Sequence, residues 1–150
     1  MKISKEGDIF KLQTEKGIAY LQLIKNPIDD SEVELIKVYL KIFAKEITDF
    51  TLIRKSESFF VQFALKSAIR KQIIEKVGSL ELTEKDNPPK QFRTENVFGD
   101  GWQIVNSDTW NRETVKELTK EQIELSPWGI LNDTRIKELI DQDWTLNKWK

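Results

Sequence analysis

The N-terminal part of the chain alternates between apolar and polar positions in two short runs, a pattern typical of paired β-strands. The runs cover residues 8–14 and 17–24, and a Glu-Lys-Gly sequence lies at their junction. This sequence predicts a tight turn, because glycine can adopt a positive φ angle. Pro27 ends the second run because proline has no amide hydrogen to donate to a neighbouring strand. The pattern therefore predicts an antiparallel hairpin.

Two later segments fit either a strand or a helix. Residues 34–43 place every second apolar side chain on one face, as in a strand, whereas a helix would begin with Ser31 and Glu34 as a capping box. The β-branched residues of this segment favour the strand. Residues 66–77 have near-helical apolar spacing, but a short helix that turns into a strand near residues 73–77 fits them equally well.

Four further segments predict short strands. Residues 58–65 are apolar on both faces, which indicates a central strand. Residues 91–95 and 102–106 are separated by a tight turn that contains two glycines, so they predict a second hairpin. Residues 114–118 predict one more strand. The strands are short and their turns are tight, which suits a small open barrel better than a flat sheet.

A proline-rich segment lies near the middle of the chain. Residues 84–90 contain two prolines and four charged residues, a composition that excludes a helix interior or a central strand. The part of the chain that follows is too short to be more than a marginal domain. We therefore expect a surface loop at residues 84–90 within a single domain of residues 1–150.

Helix signals are concentrated towards the end of the chain. Thr119 and Gln122 have the spacing of a capping box, and Asn132 or Asp133 can cap a last helix with an apolar stripe. The expected fold class is α+β. It consists of a strongly curved antiparallel sheet or a small open barrel, with two or three helices mainly in the C-terminal third.

The composition excludes several kinds of chemistry. The 150 residues include neither cysteine nor histidine. This excludes disulfides, a thiolate nucleophile and the most common metal ligands, and it removes the usual general base near neutral pH. We therefore expect no catalytic residue, no metal ion and no cofactor.

Charge and hydropathy indicate a compartment and exclude one class of partner. Lys and Arg number 24 against 25 Asp and Glu, so the net charge is −1. A nucleic-acid-binding protein needs a basic surface, so we expect no nucleic acid partner. The N-terminal sequence lacks the apolar run of a secretion signal, and no segment approaches the roughly 20 apolar residues of a membrane span. We expect a cytoplasmic protein that does not contact a membrane.

Carboxylates are the remaining source of chemistry. The acidic clusters at residues 29–32 and 141–143 lack the spacing of a calcium loop, so we interpret them as solvated turns or helix ends. The alternative is a pair of carboxylates in the mouth of a barrel. Such a pair would make the chain a small enzyme or a ligand-binding protein, and it requires a pocket that holds two buried acids.

Tryptophan and arginine point instead to a protein partner. All five tryptophans lie after residue 100. Tryptophan and arginine are the usual anchors of protein interfaces, because they bury a large area and keep a polar group. Trp110 lies in a polar stretch, where exposure is expected, and two arginines are close to it in sequence. We predict that Arg93, Trp110 and Arg112 contact a protein partner.

The opening of the chain resembles that of a known bacterial family. The resemblance is carried by Lys5-Glu-Gly-Asp-Ile-Phe10 and by Gly17-Ile-Ala-Tyr20 with Gln22, and Trp128-Gly-Ile-Leu-Asn-Asp133 resembles related small bacterial proteins. The family is the twenty-sixth family of polymorphic-toxin immunity proteins. The resemblance implies an intracellular protein that binds and blocks a toxin. Together with the lack of catalytic and metal-ligating patterns, it leads us to expect a non-enzymatic protein-binding module that neutralises a toxin domain by steric occlusion.

Overall fold

Strands dominate the fold. The computed structural model describes residues 4–29 and 33–150. Its strands are β1 (Asp8–Gln13), β2 (Ile18–Lys25), β3 (Glu34–Phe43), β4 (Ser58–Phe63), β5 (Ile74–Ser79), β6 (Gln91–Glu95), β7 (Trp102–Asn106) and β8 (Arg112–Val115). Its α-helices are α1 (Leu65–Arg70), α2 (Lys120–Ile123) and α3 (Asp133–Asp141), and short 3₁₀ helices occupy Phe50–Lys55, Glu84–Asp86 and Leu146–Lys148.

The strands form two antiparallel sheets, and neither closes into a barrel. The larger sheet has the order β4-β3-β2-β1-β5, and the smaller sheet has the order β6-β7-β8. Closure would require β4 to pair with β5, whereas the strand order leaves them at opposite edges. The barrel expected from the short strands is therefore wrong. The expectation that residues 58–65 form a central strand is also wrong, because β4 is an edge strand.

Most of the predicted elements are present. β1 and β2 form the expected hairpin, with Phe10 opposite Leu21. The ambiguous segment Glu34–Phe43 is a strand. Ser31, which would have capped the alternative helix, lies outside the described residues, as do residues 30–32 of the first acidic cluster. The second ambiguous segment is a short helix followed by a strand, α1 and then β5. Local alternation and glycine position were sufficient to predict the first hairpin, whereas the two ambiguous segments are settled only by the structure.

Both faces of the larger sheet are covered. One face packs against α1 and α3 in a core that includes Phe10, Leu21, Val38, Phe59 and Ile136. The opposite face carries a smaller cluster of Ile9, Tyr20, Tyr39 and Ile53 under the first 3₁₀ helix. β4 contributes Phe59, Val61 and Phe63 to the first core, whereas Phe60 on its other face is only half-buried.

One extended segment joins the two sheets. Residues 126–131 pair with β6 through Arg93 and with β4 through Gln62. The amide of Arg93 donates to the Ser126 carbonyl at 3.0 Å, and the amide of Leu131 donates to the Gln62 carbonyl at 3.1 Å. The segment therefore protects the open edge of β4 and fixes the smaller sheet against the larger one.

An ion pair on the larger sheet predicts acid-sensitive stability. The ammonium of Lys37 lies 2.8 Å from a carboxylate oxygen of Asp86, and both side chains are largely buried. Burial alone would raise the pKa of Asp86, but hydrogen bonds from Lys37 and from the Thr83 amide outweigh it and hold the pKa below that of an ordinary aspartate. A lowered carboxyl pKa stabilises the folded chain above the unfolded-state pKa, and this stabilisation is lost as the pH falls through the folded-state pKa.

We expect Asp86→Asn to lower the free energy of unfolding by about 1–3 kcal/mol near neutral pH, because it leaves the Lys37 ammonium without its anion. The difference between wild type and variant should shrink below about pH 4, where Asp86 becomes protonated in the unfolded chain. Urea unfolding at several pH values measures it. A difference that is the same at about pH 6 and at about pH 2.5 would contradict the assigned ion pair.

Candidate functional site

A groove lies between the ends of β2–β4 and one face of the smaller sheet. Its volume is about 680 Å³. All four prolines of the chain line it, together with apolar side chains from both sheets. These lining residues are Pro27, Val33, Leu35, Pro88, Pro89, Phe92, Val105, Pro127, Trp128 and Ile130. Because proline fixes its own φ angle, the walls of the groove are preorganised.

Trp110 projects at the edge of the groove on a strained backbone. Its φ angle is +62°, in the left-handed region that large side chains rarely adopt. The amide of Trp110 donates to the Asn106 carbonyl at 2.8 Å, which holds the turn in this form. The indole remains 67% exposed and touches Trp128 by its edge, with ring centres 6.3 Å apart. Strain of this kind is typical of positions where a side chain is presented for function.

The charged side chains around the groove are mainly basic. Arg112 is exposed on β8 and donates to the side-chain oxygen of Gln103 at 2.7 Å. Lys25 and Lys90 also line the groove, whereas Asp108 is its single carboxylate among the residues described. The paired carboxylates of the enzyme or ligand-binding alternative are therefore not brought together here.

Arg93 lies on the opposite face of the smaller sheet, away from the groove. Its side chain is 0% exposed, and its guanidinium donates to the carbonyls of Leu125, Trp149, Ile123 and Leu146. The guanidinium also lies 4.8 Å from the ring centre of Trp102 and 4.2 Å from that of Trp149. We call this arrangement the arginine clamp. It ties the C-terminal end of α2 and the segment that follows α3 to β6.

Burial lowers the pKa of Arg93 to about 10. The guanidinium is therefore still protonated at neutral pH, and all of its donors are available to the four carbonyls. The prediction that Arg93 contacts a protein partner does not fit this position, because a fully buried side chain has no surface to offer. Its hydrogen bonds stabilise the fold.

The structure therefore brings two of the three predicted contact residues to one groove and separates the third. Phe92 and Arg93 are consecutive on β6, so their side chains point to opposite faces of the sheet. Sequence analysis missed Ile130, which is 61% exposed in the groove, and the basic residues Lys25 and Lys90. The four prolines lie far apart in the sequence, at positions 27, 88, 89 and 127, and they converge only through the packing of the two sheets.

The described part of the chain contains neither a metal-binding cluster nor a helix that could span a membrane. No cluster of three or more carboxylate, imidazole or thiol side chains there has an arrangement that could hold a metal ion. Across the same residues, no helix has the length and apolar content needed to cross a bilayer.

Comparison with known protein families gives a match over most of the chain. The model of a family described as immunity protein 26 matches residues 5–104. This chain belongs to the immunity protein 26 family. The resemblance predicted from the opening motifs is thereby confirmed. Comparisons with curated proteins and with solved structures found no match.

The part matched by the immunity protein 26 family contains all of the larger sheet. The motif residues Gly7 and Gln22 act there as structural links, because the Gln22 amide donates to the carbonyls of Gly7 and Leu80, each at 3.2 Å. The Gln22 oxygen accepts from the Tyr39 hydroxyl at 2.7 Å. Trp110 and Arg112 lie beyond the matched residues. The groove is therefore lined by residues from inside and outside the part that the family model matches.

Proposed function

We propose that this chain is a cytoplasmic immunity protein that binds a protein toxin and blocks it by steric occlusion, with the groove as a contact surface. Membership of the immunity protein 26 family supports the toxin as partner. The choice of the groove as the contact surface rests on Trp110, a large aromatic side chain held exposed on a strained backbone beside it. Aromatic anchors of this kind supply much of the affinity of protein interfaces.

Occlusion and catalytic inactivation of the toxin make different predictions about stoichiometry. The test partner is to be sought in the neighbouring reading frames, as a protein with a toxin-like domain that this chain would neutralise. Occlusion requires one protein molecule for each toxin molecule, so residual toxin activity should fall linearly to its minimum near equimolar protein. If a small fraction of an equivalent inactivated all of the toxin over time, the alternative of a small enzyme would replace this proposal.

Trp110→Ala should weaken binding to this domain by about thirtyfold or more, the loss typical of an interface anchor. Arg112→Ala should cause a smaller loss, because its charge lies at the exposed rim of the groove. Isothermal titration calorimetry measures both dissociation constants. Leu52→Ala is the matched control, since Leu52 is an exposed apolar residue on the first 3₁₀ helix, away from the groove. Equal affinities for wild type and Trp110→Ala would remove the groove from the interface.

A further inference from the structure

The hairpin that joins β6 and β7 exposes two large apolar side chains. We call residues 95–101, Glu-Asn-Val-Phe-Gly-Asp-Gly, the hairpin tip. Val97 is 80% exposed and Phe98 is 88% exposed. An isolated exposed apolar residue is ordinary, but two adjacent ones at the end of a protruding turn form a compact apolar projection.

Hydrogen bonds hold the hairpin tip in one shape. The Asn96 side chain donates to the Asp100 carbonyl at 3.1 Å and accepts from the Phe98 amide at 3.2 Å. The amide of Asn96 donates to the Gly101 carbonyl at 3.0 Å, which closes the turn. The two apolar side chains are therefore presented by a preorganised backbone, and less conformational entropy is lost when a partner binds them.

The hairpin tip is acidic as well as apolar. It carries Glu95 and Asp100 and no cation. Both carboxylates are exposed, and neither forms an ion pair within the described residues. Lys116 lies beside Gly101 but is followed by Glu117, so this neighbouring pair adds no net charge. A partner surface that accepts the tip must therefore combine an apolar centre with a positive rim.

The tip and the groove lie at opposite ends of the smaller sheet. Gln91 pairs with Asn106 at the groove end of β6 and β7, and Glu95 pairs with Trp102 at the tip end. Four residue steps along a strand correspond to roughly 13 Å. The tip is therefore separate from the groove, and we expect substitutions in it to leave the groove unchanged.

We propose that the hairpin tip inserts Phe98 and Val97 into an apolar pocket on the toxin whose rim is positively charged. This inference rests on the proposed function, because the toxin is the partner. A convex projection buries its apolar side chains only against a concave surface, and anchors that fill pockets dominate binding energy. Glu95 and Asp100 flank the apolar pair and face the rim. A toxin cleft that holds an anionic substrate has this combination of shape and charge.

The experiment measures binding of the same toxin-like domain by calorimetry at low and high salt. Phe98→Ala should weaken binding at least about thirtyfold. A double charge variant, Glu95→Gln with Asp100→Asn, should bind more weakly at low salt and show a reduced dependence of affinity on salt. Leu52→Ala is again the control for loss of an exposed apolar side chain. Circular dichroism confirms that each variant keeps its fold.

The outcomes separate this inference from the proposed function. If the wild-type chain does not bind the domain, the proposed function fails and the inference fails with it. If the domain binds but Phe98→Ala leaves the affinity unchanged, the inference alone is overturned. If Phe98→Ala weakens binding while the charge variant changes neither affinity nor salt dependence, the positive rim is absent and the inference is also overturned. Loss in both variants supports it.

Discussion

Replacing Arg93 with alanine is expected to lower the free energy of unfolding by about 4 kcal/mol. The substitution removes one hydrogen bond from each of four carbonyls, those of Ile123, Leu125, Leu146 and Trp149. The Leu146 carbonyl still accepts from the Trp149 amide at 3.1 Å. The substitution also removes the contacts of the guanidinium with the rings of Trp102 and Trp149. A buried polar group that loses its partner costs about 1–3 kcal/mol, and the carbonyls that become hydrated by local opening recover part of this cost.

The conservative variant Arg93→Lys separates charge from geometry. Lysine keeps the positive charge, but its single ammonium has three donors and lacks the planar fork that reaches four separated carbonyls. We therefore expect it to recover only part of the stability that alanine loses. If charge alone held the clamp, Arg93→Lys would be as stable as wild type.

Thermal and urea unfolding measure these effects. A loss of about 4 kcal/mol corresponds to a fall in Tm of roughly 8–16 °C for a chain of this size. Arg70→Ala, at the exposed end of α1, is the matched control and should change stability by less than about 0.5 kcal/mol. An Arg93→Ala protein as stable as this control would show that the clamp contributes nothing to the fold.

Much of the fold could be predicted from the sequence because its information is local. Alternation in residues 8–24 predicted the first hairpin, and the spacing of Thr119 and Gln122 predicted the capping box of α2, which the structure confirms. Whether strands close into a barrel depends on which edge strands pair with each other. Local periodicity does not determine this pairing. The barrel expectation failed at β4, whose outer edge is covered by residues 126–131, far away in sequence.

The candidate site shows the same division between local and distant information. Trp110 could be predicted to be exposed, because the residues around it are polar. Arg93 could not be predicted to be buried, because the carbonyls that accept from it are 30 to 56 residues away in sequence. An arginine next to an aromatic residue in a sequence looks the same whether it anchors a partner or a distant segment of its own chain.

In the proposed binding mode, the middle of the smaller sheet stabilises the fold and its two ends contact the partner. Arg93 is in the middle of β6 and fixes the sheet to the C-terminal end of α2 and the segment after α3. This attachment leaves the groove and the hairpin tip rigidly placed with respect to each other. Arg93→Ala should therefore weaken toxin binding indirectly, whereas Trp110→Ala and Phe98→Ala should weaken it without loss of stability. Comparing stability with affinity across the three variants tests this division.

Gly7→Ala is expected to lower the free energy of unfolding by about 3 kcal/mol or more, although it adds a single methyl group. Gly7 has a φ angle of +99°, a conformation that side-chain-bearing residues rarely adopt. A Cβ at this position would lie 2.6 Å from the Leu80 carbonyl oxygen, a backbone atom that cannot rotate away. The amide of Gly7 donates to the Leu23 carbonyl at 2.7 Å, and its carbonyl accepts from the Leu80 amide at 2.9 Å. Any shift that relieves the clash therefore weakens hydrogen bonds that hold β1 between β2 and β5.

The matched control for this prediction is Gly99→Ala in the hairpin tip. A Cβ on Gly99 meets nothing closer than the Asn96 side-chain nitrogen at 3.8 Å, so its stability should change by less than about 0.5 kcal/mol. Gly7→Ala should instead lower Tm by roughly 6–12 °C, measured by thermal unfolding under the same conditions. Equal melting temperatures for the two variants would contradict the close contact at Leu80. The predicted difference gives a physical reason for glycine in the Gly-Asp-Ile-Phe motif: the contact with Leu80 leaves no room for a side chain.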